Sequence, residues 1–159
     1  MRALGYTAAV VVLDQFAKFL IRHNLDLHTS IPVLGNLVKL TYVENSGIVF
    51  GIRVGNTLPL FTALSLLASG MIFYYLYRER DGHPAMRAGL GLVLGGAIGN
   101  VIDRLVFGRV VDFIDVGIGG YRWYVFNVAD SAVTVGVIIY LLASIFLVPA
   151  SDRAQVENA

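Results

Sequence analysis

Three long stretches of this chain carry no charged side chain: Val54–Tyr77, Ala88–Ile102 and Ser131–Ser151. A helix needs roughly 17–25 mostly apolar residues to cross a bilayer. The first and last stretches reach that length outright. The middle one reaches it by taking in Arg87 at one end and Asp103–Arg104 at the other. A fourth stretch, Ala3–Ile21, is apolar except for Asp14, Gln15 and Lys18. Arg2 ahead of it invites the reading of a cleaved leader. The internal charges, the apolar residues that resume at Phe19–Ile21 and the lack of a small-residue cleavage pattern favour a retained span. The pattern predicts an all-α membrane protein with four transmembrane helices, at about 3–22, 55–77, 87–105 and 127–149. It forms a single membrane-embedded domain over residues 1–159.

Four spans put both termini on one face, with the loop Arg78–Arg87, and the two long loops, about 23–54 and 106–126, on the other. The arginines of the short loop place it in the cytoplasm by the positive-inside bias. Within the first long loop, Asn36–Asn45 and Ile48–Gly55 are rich in β-branched and aromatic residues, with turn signals at Asn36 and Gly55. They predict a small extracytoplasmic β-sheet. In the second long loop Tyr121, Trp123, Tyr124 and Phe126 resemble an interfacial aromatic belt.

Composition agrees with a bilayer environment. The chain is 57% hydrophobic and 14% charged, with a mean hydropathy of +0.71, whereas soluble domains carry about 25% charged residues. There is no cysteine, which removes disulfides, thiolate nucleophiles and cysteine–metal sites. A net charge of +1 gives no electrostatic case for nucleic acid.

The polar residues that do enter or border the spans gather at one boundary. Asn45 and Asp112 lie in the two long loops, Asn100, Asp103 and Arg104 end the third span, and Asn127 and Asp130 begin the fourth. Asp14 precedes the end of the first span by a distance of roughly 12 Å along the helix. An ionisable residue in such a place is by default a functional candidate. Asn127, Asp130 and Thr134 share one stripe of a helix, as do Asn100, Asp103 and Arg104. A hydrogen-bonded clamp, with Arg104 paired to Asp103, is the bland account of the second stripe. Asp14 and Lys18, four residues apart, can likewise simply neutralise each other, and Lys18→Ala is then a mild change. Gly91, Gly95 and Gly99 form small-xxx-small steps that close helix packing explains.

Elimination narrows the chemistry. His23, His28 and His83 lie in loops or at span ends, and no HExxH sequence occurs, so neither a serine–histidine arrangement nor a zinc hydrolase is supported. Two aspartates facing one site share a proton, so that one can activate water while the other protonates an amide oxygen. From the residues alone, a proton or cation relay stays open beside carboxylate catalysis.

Five motifs in order carry a resemblance. They are Asp14–Lys18, Glu44–Phe50, Gly95–Arg104, Val110–Asp115 and Phe126–Ser131. Together they resemble the lipoprotein signal peptidases (signal peptidase II), aspartyl peptidases of the bacterial inner membrane. The resemblance implies an endopeptidase that removes the signal peptide of diacylglyceryl-modified prolipoproteins before the lipidated cysteine. It implies Asp112 and Asp130 as the catalytic pair, with Asp14, Lys18, Asn45, Gly47, Asn100, Asp103, Arg104 and Asn127 supporting the site or its substrate. It implies no metal and no cofactor. The implied partners are lipid-modified prolipoproteins, membrane lipid and inhibitors of the globomycin type. The implied location is a multi-pass position in the inner membrane, both termini cytoplasmic, with the site near the outer face. One departure is Ile48-Val49, where the family often has alanines. Asp115 receives no role.

Overall fold

A computed structural model describes residues 2–46 and 58–147 of the chain. It contains four helices long and apolar enough to cross a membrane. These are α1 (Arg2–Asn24), α2 (Leu58–Arg78), α3 (Pro84–Phe107) and α4 (Val128–Phe146). The ends of α3 follow from local chemistry. His83 caps it by accepting the Ala85 N–H, Pro84 occupies its first turn, and Gly108 ends it at φ 72°, where a side chain would be strained.

Helix α3 is the axis of the bundle, since α1, α2 and α4 all pack on it. Ala3, Thr7 and Asp14 of α1 meet Gly91, Gly95 and Gly99 of α3 in turn, so the two helices run parallel. Gly89 of α3 faces Gly136 of α4, and Gly96 faces Ala129, so that pair is antiparallel. Leu58 at the start of α2 lies beside Gly108 at the end of α3, so the α1 and α3 C-termini and the α2 and α4 N-termini share one end of the bundle.

A four-stranded antiparallel sheet joins that end. Its strands are β1 (Ser30–Leu34), β2 (Val38–Asn45), β3 (Val110–Ile118) and β4 (Tyr121–Arg122), in the order β1-β2-β3-β4. The sheet differs from the expected one in its strands. It is drawn from both long loops, and β3, which carries Asp112, is one of its two central strands. The expected strand over residues 48–55 lies outside the described residues. Ile21 of α1, Tyr42 of β2, and Val111 and Phe113 of β3 form a buried apolar cluster that seats the sheet on the bundle.

Candidate active site

Helix α4 begins with a capping box. The Asn127 side chain accepts the Asp130 N–H at 2.9 Å, and Asp130 Oδ2 accepts the Asn127 N–H at 3.2 Å. This exchange satisfies two otherwise orphaned donors of the first turn. It also fixes the rotamer of Asp130, whose other oxygen accepts from Asn100 Nδ2 at 2.8 Å. Asp130 and Asn100 are half-buried, whereas Asn127 is completely buried.

Asp112 reaches the same place from the sheet. Pairing of Asp112 with Val43 and of Val110 with Asn45 sets its register on β2. Asn127 Nδ2 donates to Asp112 Oδ1 at 2.7 Å, and Asn45 Nδ2 donates to Oδ2 at 3.3 Å. One asparagine thus touches both aspartates, giving its N–H to Asp112 and its oxygen to the backbone of Asp130. Burial and then the nearby Asp130 charge push the Asp112 carboxyl up to about 7, against the lowering effects of Asn45, Asn127 and Lys18. A carboxyl raised in this way beside a second carboxylate is suited to keeping a proton that the two groups can use.

Behind the pair lies a polar cluster whose centre, Asp14, Lys18 and Asp103, is completely buried. Lys18 Nζ contacts Asp14 Oδ2 at 2.8 Å, Asp103 Oδ2 at 3.0 Å and Asn100 Oδ1 at 2.9 Å. The expected neutralisation of Asp14 by Lys18 is therefore present but is one of three contacts. The expected pairing of Arg104 with Asp103 is replaced. Asp103 turns toward α1, where Arg22 meets its Oδ1 at 3.0 Å and Gln15 donates to it at 3.2 Å. Arg104 points toward α2, donating to Ser65 Oγ and to the Asn100 carbonyl, both at 3.3 Å. Adjacent positions on a helix diverge by about 100°, which explains the split.

Of the ten residues singled out from sequence, nine fall in or next to this cluster, and Gly47 lies outside the described residues, as do Ile48 and Val49. Gln15 and Arg22 were missed. Arg22 follows Asp14 and Lys18 at successive i+4 steps, so helical spacing could have found it, whereas Gln15 is turned about 100° from Asp14 and reaches Asp103 with its longer side chain. Asp115 proves structural. It accepts from Arg122 at 2.6 Å and Thr41 at 2.7 Å across the sheet. Burial raises its carboxyl, but the Arg122 and Thr41 hydrogen bonds and the Arg122 and Lys39 charges outweigh this and hold it below its ordinary value. Thr134 bonds back to the Asp130 carbonyl and stands apart from the cluster.

A family model described as signal peptidase (SPase) II matches residues 6–146. The lipoprotein signal peptidase of Syntrophotalea carbinolica is 46% identical over 137 residues, covering 84% of each protein. That of Moorella thermoacetica is 42% identical over 146 residues, covering 92% of this chain and 93% of the relative. A bacterial membrane enzyme solved by the in meso method at 1.9 Å superposes with a TM-score of 0.83 at 31% identity, covering 91% of this chain and 93% of the other.

Proposed function

The chain belongs to the signal peptidase II family, and on that premise we propose that it removes signal peptides from diacylglyceryl-modified prolipoproteins. The whole chain acts as one membrane-embedded aspartic endopeptidase, with Asp112 and Asp130 as its catalytic pair. The observation that carries this reading is Asn127, which touches both aspartates from a fully buried position.

Asp112 holds the proton that the pair shares, and Asp130 serves as the base. Asp130 takes a proton from a water molecule whose oxygen adds to the scissile carbonyl carbon, while Asp112 gives its proton to the carbonyl oxygen. The tetrahedral diol then collapses. The C–N bond breaks, Asp130 returns its proton to the departing cysteine nitrogen, and Asp112 recovers its own from the diol. Asn45 and Asn127 fix Asp112, Asn100 fixes Asp130, and Arg104 offers its positive charge beside the pair.

The half-buried side of the site, at Asn100, Arg104 and Asp130, is where the substrate backbone enters. The scissile bond then lies at the end of the bundle where the sheet sits, which this reading places at the outer face of the inner membrane. The lipid chains of the substrate stay in the bilayer, and inhibitors of the globomycin type compete for the same cleft.

A gel-shift assay in lipid, offered a diacylglyceryl-modified prolipoprotein and its unmodified form, tests the substrate assignment. Cleavage of the modified form alone, unaffected by a metal chelator, is expected. Ion flux through the reconstituted protein without cleavage would point to a carrier instead.

A further inference from the structure

We propose that Lys18 is a positioning residue that sets the spacing of the two catalytic aspartates through a pair of buried carboxylates, Asp14 and Asp103. The inference rests on the assignment of Asp112 and Asp130 as the catalytic pair.

Each of the two supporting carboxylates grips the backbone one residue ahead of a catalytic aspartate. Asp14 Oδ1 accepts the N–H of Ala129 at 2.9 Å, and Ala129 precedes Asp130. Asp103 Oδ2 accepts the N–H of Val111 at 3.1 Å, and Val111 precedes Asp112. Lys18 Nζ lies 2.8 Å from one carboxylate and 3.0 Å from the other. One ammonium therefore ties the first turn of α4 to the first residues of β3, two elements that sequence separates by most of a loop.

The arrangement has little slack. Asp14, Lys18 and Asp103 are all completely buried. A Cβ on Gly99 would come within 2.7 Å of Asp14 Oδ2, so α3 already presses against that carboxylate. Helix neutrality gives no reason for this construction, since an i, i+4 ion pair needs neither backbone N–H. A buried carboxylate beside a lysine and a peptide N–H is a directional clamp, and two such contacts together with the one to Asn100 Oδ1 leave the ammonium no further donor. Displacing a reacting group by about 1 Å can cost on the order of 100-fold in rate, so a clamp of this kind matters for turnover more than for substrate binding.

The test is a steady-state comparison in lipid of wild type with Lys18→Met, Asp14→Ala, Asp14→Asn and Asp103→Ala, with thermal unfolding of each sample. Lys18→Met is expected to lower kcat about 100-fold while KM changes by less than about threefold. Asp14→Ala and Asp103→Ala are expected to do likewise, and their combination to cost much less than the product of the two, because both act through one lysine. Asp14→Asn keeps an oxygen for the Ala129 N–H, so it is expected to recover part of the rate that Asp14→Ala loses, at similar stability. That pair carries the test if Lys18→Met does not fold. Wild-type kcat in folded Lys18→Met, a loss confined to KM, or equal rates for Asp14→Ala and Asp14→Asn would each overturn the clamp. Asp112→Asn and Asp130→Asn run beside these variants. Normal cleavage by either would overturn the catalytic assignment itself, a result distinct from any of those three.

Discussion

The two ends of the helical bundle are joined by different means. Away from the sheet, α1, α3 and α4 approach until backbones touch. A Cβ on Gly91 would lie 2.6 Å from the Ala3 carbonyl oxygen, and one on Gly136 would lie 2.6 Å from that of Gly89. Thr7 adds a single hydrogen bond to the Gly91 carbonyl, at 2.9 Å. Toward the sheet the same three helices are joined by Asp14, Lys18, Asn100, Asp103 and Asn127, which bond to one another and to backbone. Lipid gives apolar surfaces no reason to associate, so close packing and polar contacts are the two means available. The first holds helices at a fixed distance with no chemistry. The second also orients carboxylates, and among the described residues the buried carboxylates that join helices gather where the proposed reaction takes place.

Substitutions at the two ends of the bundle should have different effects. The largest effect is expected at the polar end, where Asp112→Asn and Asp130→Asn should abolish turnover while thermal unfolding stays close to wild type, since asparagine is nearly isosteric. At the close-packed end, Gly136→Leu must push α3 and α4 apart, because the obstacle is the Gly89 backbone. Overpacking of this kind costs about 1–3 kcal/mol or more, and turnover should fall in step with the folded fraction. Loss of turnover in fully folded Gly136→Leu would show that the two ends are not separable.

A smaller, graded effect is expected from pH. The Asp112 carboxyl is raised to about 7, so the native protein keeps a proton that the unfolded chain releases near the ordinary value of 3.8. The stability contributed by this group therefore falls as pH rises between those values. Activity that needs the shared proton should fall as pH passes through about 7. A pH–rate profile that stays flat from about pH 6 to 9 would contradict that role for Asp112.

Much of this was legible in the sequence, for physical reasons. The four helices were visible because a bilayer demands long apolar runs. Asp112 and Asp130 stood out because carboxylates at such boundaries are costly. The partners of Asp103 were not legible. Its neighbour Arg104 is one residue away in sequence, whereas Lys18 and Arg22 meet it only because α1 runs parallel to α3. The sheet was half legible for the same reason. The β-branched residues around Asp112 could have marked β3, but its pairing with β2 joins segments some 70 positions apart, as Val43 with Asp112 shows. Asp115 carried a motif position without chemistry, and only its Arg122 and Thr41 contacts reveal a sheet clamp.

The most direct measurement of the central claim is cleavage of a lipid-modified prolipoprotein by purified wild type, Asp112→Asn and Asp130→Asn, each checked for folding by thermal unfolding in the same lipid. The account predicts cleavage by wild type and none by either folded variant. Cleavage at the wild-type rate by a folded variant would contradict it.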